Sequence, residues 1–146
     1  MRILIEKHKR ILTLTEGDAV LLSCPVALGS RPVGPKSRSG DGKTPEGRYF
    51  VCLKKEGKYG PSLGVSYPGV EDAVRCRAPM ALIDVIRRRT QQGERPPWGT
   101  ALGGEIYIHG GGIASDWTAG CVALTDEDAR RLYDLTDLGT EILILP

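Results

Sequence analysis

The chain has 146 residues, 40 % of them hydrophobic and 26 % charged, and carries a net charge of +2. That length supports one domain with its own core, and the composition is that of a globular rather than a disordered chain. So small a charge, without a stripe of interleaved basic and aromatic residues, argues against nucleic acid as a partner. No apolar run is long enough to form a transmembrane segment.

In chain order, the apolar residues at 3–5 and 11–14 flank a polar turn and predict a hairpin. The N-terminus reaches charge too soon, at Glu6 to Lys9, to read as a signal peptide. Residues 19–27 predict another strand, and residues 29–47, dense in Gly, Pro, Ser and Lys, predict a long loop of the kind that borders a site. Strands resume at 48–53 and at 63–67, the latter stopping before Pro68. Residues 70–89 predict helix, broken by Pro79 and firmer from Met80 onward. Arg87, Arg88 and Arg89 crowd its C-terminal end, where the helix dipole favours cations, so they read as a solvated helix end. A loop containing Trp98 leads to a strand at 105–109. Thr125 then caps a second helical stretch, with Asp126, Glu127 and Asp128 in its first turn, and residues 141–145 close as a strand. Many strands, two helical stretches and no regular alternation predict a mainly β fold rather than a doubly wound sheet.

Cys24, Cys52, Cys76 and Cys121 are widely spaced, with no Cys-x-x-Cys pair and no histidine at zinc spacing, so no metal site is expected. Two apparent motifs fail on context. Gly60-Pro61-Ser62-Leu63-Gly64 has the wording of a hydrolase elbow but follows a turn and leads into a strand, where an elbow needs strand then helix. Gly42-Lys43-Thr44 resembles the end of a phosphate-binding loop, but Ser37 stands where that motif needs glycine, and a strand follows.

The chemistry concentrates near the C-terminal third. His109 ends an apolar run and enters Gly110-Gly111-Gly112, while Cys121 stands between Gly120 and the apolar Val122-Ala123-Leu124. The only other histidine is His8. A base at the end of one strand and a nucleophile at the start of the next element suit a cysteine acyl-transfer site. The thiolate is the reactive form, so an imidazole must take its proton, and a glycine-rich return brings the two together. The amides at Gly120 and Cys121 suit an oxyanion, and the Gly110 carbonyl suits the second imidazole nitrogen. A cysteine among apolar neighbours is equally an ordinary core residue, and a histidine at a strand end an ordinary hydrogen-bonded one. The pattern alone leaves both readings open.

Residues 106–124 resemble the catalytic motif of YkuD-type L,D-transpeptidases, in which Ile-His-Gly at a strand end precedes Ser/Thr-x-Gly-Cys, here Thr118-Ala119-Gly120-Cys121. The wording from Asp116 to Cys121 is similar to the YafK-like branch. So are Gly40-Asp41-Gly42-Lys43-Thr44-Pro45-Glu46-Gly47 and Ser62-Leu63-Gly64-Val65-Ser66-Tyr67-Pro68. The resemblance implies a β-sandwich-like catalytic fold, with residues 1–146 as a single domain. It makes Cys121 the nucleophile, His109 the proton carrier, Gly110 the orienting carbonyl, and Gly120 with Cys121 the oxyanion hole. The implied substrate is the peptidoglycan stem peptide, cut at an amide between an L-centre and D-alanine. A thioester forms, and an amine resolves it to a cross-link or protein attachment, or water does so in a carboxypeptidase. Tyr107, Trp117 and Thr118 are the expected substrate contacts, with Arg38 and Lys43 as candidates for a substrate carboxylate. The family implies no cofactor, carbapenem inhibitors, a place in the cell envelope and a monomer. Many members carry histidine where Ala119 stands and arginine where Ala123 stands. That departure opens the alternative of a catalytically weak wall-binding module.

Overall fold

Period-two alternation sets one face of the first strands inward, and Ile3, Ile5, Leu12 and Leu14 are all fully buried. In the computed structural model, which describes residues 1–146, β1 (Arg2–Glu6) and β2 (Ile11–Glu16) form the expected antiparallel hairpin. β3 (Ala19–Pro25) pairs with β2, and the C-terminal β8 (Glu141–Leu145) lies parallel to β1 on its other side. The sheet continues through β4 (Gly47–Gly57), β5 (Gly60–Val65), β6 (Tyr107–His109) and β7 (Val122–Ala123), in the order β3-β2-β1-β8-β4-β5-β6-β7.

β4 is where the sheet turns. Its residues 47–50 pair with β8, and after a register shift between Val51 and Leu53 the remainder pairs with β5. An irregularity of this kind bends a strand and increases its twist. The curl brings the two edges together. Just past β3, Ala27 exchanges two backbone hydrogen bonds of 2.8 Å with Ala123 of β7, and Ser30 N–H donates to the Thr118 carbonyl at 3.0 Å. Neither edge is left open beside residues 118–123.

The helical region divides as Pro79 predicts, into α1 (Val70–Arg75) and α2 (Met80–Gln91), so three helices replace the two expected stretches. The third, α3 (Asp126–Leu135), is capped by Thr125, whose hydroxyl accepts the Asp128 N–H at 3.1 Å. At its other end the Lys54 ammonium donates to the carbonyls of Tyr133 and Thr136 (2.8 and 2.7 Å), where the helix dipole favours a cation. A core of 21 buried residues lies inside the curled sheet, including Leu63, Val65, Ile108, Val122 and Leu124 beneath the site strands. Each such side chain contributes roughly 1.5–3 kcal/mol. A smaller cluster of Ala73, Ile83, Ile86 and Leu102 holds α1 and α2 to the loop before β6.

The two apparent motifs are structural. Ser62 lies within β5, is 4 % exposed, and donates to the Gly60 carbonyl at 3.0 Å. Thr44 is fully buried, its hydroxyl accepting the Gly29 N–H at 3.0 Å. All four cysteines are free, and burial pushes the Cys24 thiol up to about 12 and that of Cys52 up to about 11.

Candidate active site

β6 and β7 lie parallel, with Ile108 opposite Val122 and His109 opposite Ala123. Ile108 and Val122 point into the core. Alternation therefore puts Tyr107, His109 and Cys121 on the opposite face, with Cys121 level with Tyr107 and one step from His109. The glycine-rich return is closed by Leu124 N–H on the His109 carbonyl (2.7 Å) and Gly112 N–H on the Leu124 carbonyl (2.9 Å). The Tyr107 N–H donates to Cys121 Sγ at 3.3 Å, and the thiol faces the Glu105 carbonyl at 3.6 Å.

His109 is 4 % exposed and held on three sides. Its Nδ1 lies 2.5 Å from the Gly110 carbonyl. A carbonyl only accepts, so Nδ1 carries the proton and Nε2 keeps its lone pair. Tyr59 stacks on the ring at 4.7 Å, and Trp117 meets it edge-on at 5.8 Å while donating Nε1–H to the Gly112 carbonyl at 3.0 Å. Asp126 accepts the Gly111 N–H at 2.9 Å, and a Cβ on Gly110 would fall 2.5 Å from that carboxylate and 3.1 Å from the Tyr59 carbonyl. Glycine at 110 is thus required by close approach.

Burial lowers the His109 pKa below 6.5, the Gly110 contact opposing it only in part. Burial also raises the Cys121 thiol above 9.0, against the opposing Tyr107 N–H and the nearby Lys36 charge. The resting pair is therefore a neutral thiol beside a neutral imidazole, with no hydrogen bond between them. This arrangement can transfer a proton from Sγ to Nε2 as the sulfur attacks an electrophile, and contacts of this kind tighten when substrate binds.

Cys121 opens onto a cavity of about 110 Å³ whose lining includes Lys36, Gly103, Gly104, Glu105, Ala119 and Gly120. The expected substrate contacts are scattered about it. Tyr107 sits beside Cys121, its ring between Trp98 (5.4 Å) and the Lys55 ammonium (4.7 Å). Trp117 is 37 % exposed beside His109. Thr118, expected at the substrate surface, is buried, its hydroxyl donating to the Cys121 carbonyl (2.7 Å) and accepting the Gly120 N–H (3.1 Å). That bond occupies the Gly120 amide expected in the oxyanion hole, whereas the Cys121 amide has no partner within the protein. Lys43 turns its ammonium towards Gly34 and the Lys7 charge, and Arg38 is exposed and outside the cavity lining. Of the two departures, Ala119 lines the cavity, while Ala123 is fully buried and bonded to Ala27.

Residues 1–144 match the sequence profile of YkuD, the L,D-transpeptidase catalytic domain. The chain belongs to that family. Solved structures similar to it include the helical cell shape determining protein Pgp2 from Campylobacter jejuni, at 22 % identity and a TM-score of 0.67. That match covers 98 % of this chain and 46 % of Pgp2. Bd1075 from Bdellovibrio bacteriovorus follows at 21 % identity and a TM-score of 0.60, over 98 % of this chain and 46 % of that one. An L,D-transpeptidase from Mycobacterium smegmatis shares 14 % identity with a TM-score of 0.59, over 99 % and 58 %. At such identities the likeness establishes the YkuD fold, and this chain spans about half the length of those proteins. No curated protein sequence matches it.

Three residues around this YkuD site escape a reading of the sequence. Tyr59 sits in a turn between two strands, and nothing local marks it as the platform for His109. Asp126 reads only as a first-turn acid of α3, yet it also holds Gly111. Lys36 is one of several loop cations, and only Asp41 between Gly40 and Gly42 hints at a tight turn able to hold it.

Proposed function

We infer that residues 1–146 form one catalytic domain, a cysteine acyltransferase acting on L,D-amide bonds of peptidoglycan stem peptides in the cell envelope. The observation carrying this reading is the β6–β7 pairing, which sets Cys121 and His109 on one face within a YkuD-family chain. His109 Nε2 accepts the thiol proton as Sγ bonds to the carbonyl carbon beside D-alanine. The tetrahedral oxyanion faces the Cys121 N–H. The C–N bond then breaks, imidazolium returns the proton to the leaving amine, and a thioester remains. An amine from a second stem or a protein resolves it by transpeptidation, and water resolves it by hydrolysis.

Gly110 supplies the carbonyl that keeps the proton on Nδ1, Tyr59 and Trp117 fix the imidazole plane, and Thr118 positions the Gly120–Cys121 peptide. Ala119 leaves room where many relatives carry a histidine, so the acceptor meets a wider and less polar mouth. A similar solved structure is of an LD transpeptidase, LdtMt1, in complex with imipenem, which motivates a carbapenem as probe. Intact mass after incubation with imipenem should show one adduct on the wild type and none on Cys121→Ala. An equal adduct on both, or none on either, counts against the reading; no adduct together with wall-fragment binding unchanged by Cys121→Ala favours a non-catalytic wall-binding module. Release of D-alanine from a tetrapeptide stem, with and without an added amine, separates hydrolysis from transfer.

A further inference from the structure

An oxyanion hole usually presents two donors, and the amides flanking the Cys121 sulfur are mostly engaged. The Gly120 N–H is engaged by the Thr118 hydroxyl at 3.1 Å, and the Tyr107 N–H by the nucleophilic sulfur itself at 3.3 Å. Of these three amides only that of Cys121 is open. A cation stands beside it. Lys36 is 3 % exposed, and its Nζ donates to Asp41 Oδ1 at 2.9 Å, its only hydrogen bond within the protein. An ammonium has three N–H donors. Two remain, in a buried group that lines the same cavity as Cys121.

The surroundings are shaped to bring that ammonium in. Its Cε would lie 3.3 Å from a Cβ on Gly103 and its Nζ 3.5 Å from a Cβ on Gly120, so two glycines clear its path. Asp41 anchors it without cancelling it. The same carboxylate also accepts the N–H groups of Ser37 (2.8 Å), Lys43 (3.1 Å) and Arg38 (3.2 Å), so its charge is shared among four donors. Glu105 is the other ionisable group at the cavity besides Cys121, and its side chain is exposed.

We propose that the Lys36 ammonium is the second donor of the oxyanion hole, meeting the tetrahedral oxygen together with the Cys121 N–H. As Sγ–C forms, the carbonyl π pair moves onto oxygen between these two donors. When the carbonyl re-forms, C–N breaks and His109 delivers the proton to nitrogen, Lys36 staying protonated throughout. The proposal rests on Cys121 being the nucleophile.

The test compares acylation with alkylation of the whole chain. Acylation by imipenem passes through an oxyanion; alkylation by iodoacetamide is a direct displacement that does not. Lys36→Met should cut the acylation rate roughly 10²–10³-fold. Its alkylation rate, corrected to equal thiolate fraction from a pH series, should stay within about threefold of wild type. With a tetrapeptide stem, kcat should fall while KM holds. Unchanged acylation overturns the proposal, as does an equal loss of acylation and corrected alkylation. A rise in KM alone also overturns it, because that marks a substrate-carboxylate contact instead. If Lys36→Met fails to fold, Asp41→Asn keeps the ammonium and loosens it. It should lose acylation by a smaller factor with corrected alkylation intact, and parallel loss of both overturns the proposal. Wild type alkylated at Cys121 but never acylated removes the acyltransferase reading itself, a result distinct from a Lys36 failure.

Discussion

Gly120→Ala tests how rigid the wall behind Cys121 is. Gly120 has φ +146°, a conformation side chains rarely adopt, and an added methyl would meet the Lys43 carbonyl at 2.7 Å and Ile106 Cδ1 at 3.1 Å. The carbonyl is backbone, in a segment tied down by the Lys43 N–H on Asp41 and by Thr44, so it cannot swing aside as a side chain would. Strain of the φ angle and overpacking each cost about 1–3 kcal/mol, together roughly 2–6 kcal/mol. For a chain of this size that lowers Tm by roughly 5–20 °C. Gly17→Ala is the matched control, because Gly17 has φ +56° with nothing within 4 Å of an added Cβ and should lose only about 1–2 kcal/mol. Both variants are followed by calorimetry and urea unfolding. A Gly120→Ala protein as stable as Gly17→Ala would refute the reasoning, since it would mean that the loop leading to β4 yields to the methyl group.

Thr118→Val should cost roughly 1–3 kcal/mol in urea unfolding, because it leaves the buried Gly120 N–H without its acceptor. It should also slow acylation at Cys121; unchanged stability and rate would deny the hydroxyl a positioning role. Burial opposes ionisation of Asp41, but the Ser37 N–H, the Lys36 ammonium and the Lys43 and Arg38 N–H groups outweigh it and hold its carboxyl near about 2, from 3.8. A folded-state value below the unfolded one stabilises above pH 3.8 and is lost as pH falls towards 2. Asp41→Asn should therefore cost about 2 kcal/mol at neutral pH, and the gap should close through that window in acid unfolding titrations. His109 has its folded value below 6.5, so its neutral form stabilises above pH 6.5 and that stabilisation is lost on going lower. The acid limb of kcat/KM should accordingly have its midpoint below 6.5, and one clearly above would contradict burial as the dominant influence. Iodoacetamide alkylation of Cys121 should have its midpoint above 9.0, whereas one near neutrality would reveal a thiolate–imidazolium pair in the resting site.

Much of the fold is legible because its signals lie within a few residues of one another. Alternation from Ile3 to Leu14 predicts the hairpin, Pro79 the helix break, and Thr125 with three following acids the start of α3. The wording from Ile106 to Cys121 marks the candidate site for the same reason, since a parallel pair of short strands needs only that return loop. Other expectations depended on distant partners. Thr118 reads as a surface hydroxyl until the closing contact with residues 28–30 buries its neighbourhood.

Lys36 and Lys43 mark the boundary between what the sequence determined and what tertiary structure decided. Both stand in one glycine-rich loop, and composition there predicts a loop with cations near a site but not which cation enters it. Asp41 sits between them, taking the ammonium of Lys36 but the backbone N–H of Lys43. Gly103 and Gly120, more than 60 positions further on, leave space for one side chain, while Gly34 receives the other. Strand, turn and cap preferences are local free energies written in neighbouring residues. The direction of a long loop side chain is set by which remote segments leave room and which carboxylate lies within reach, and that exists only once the sheet has curled and closed.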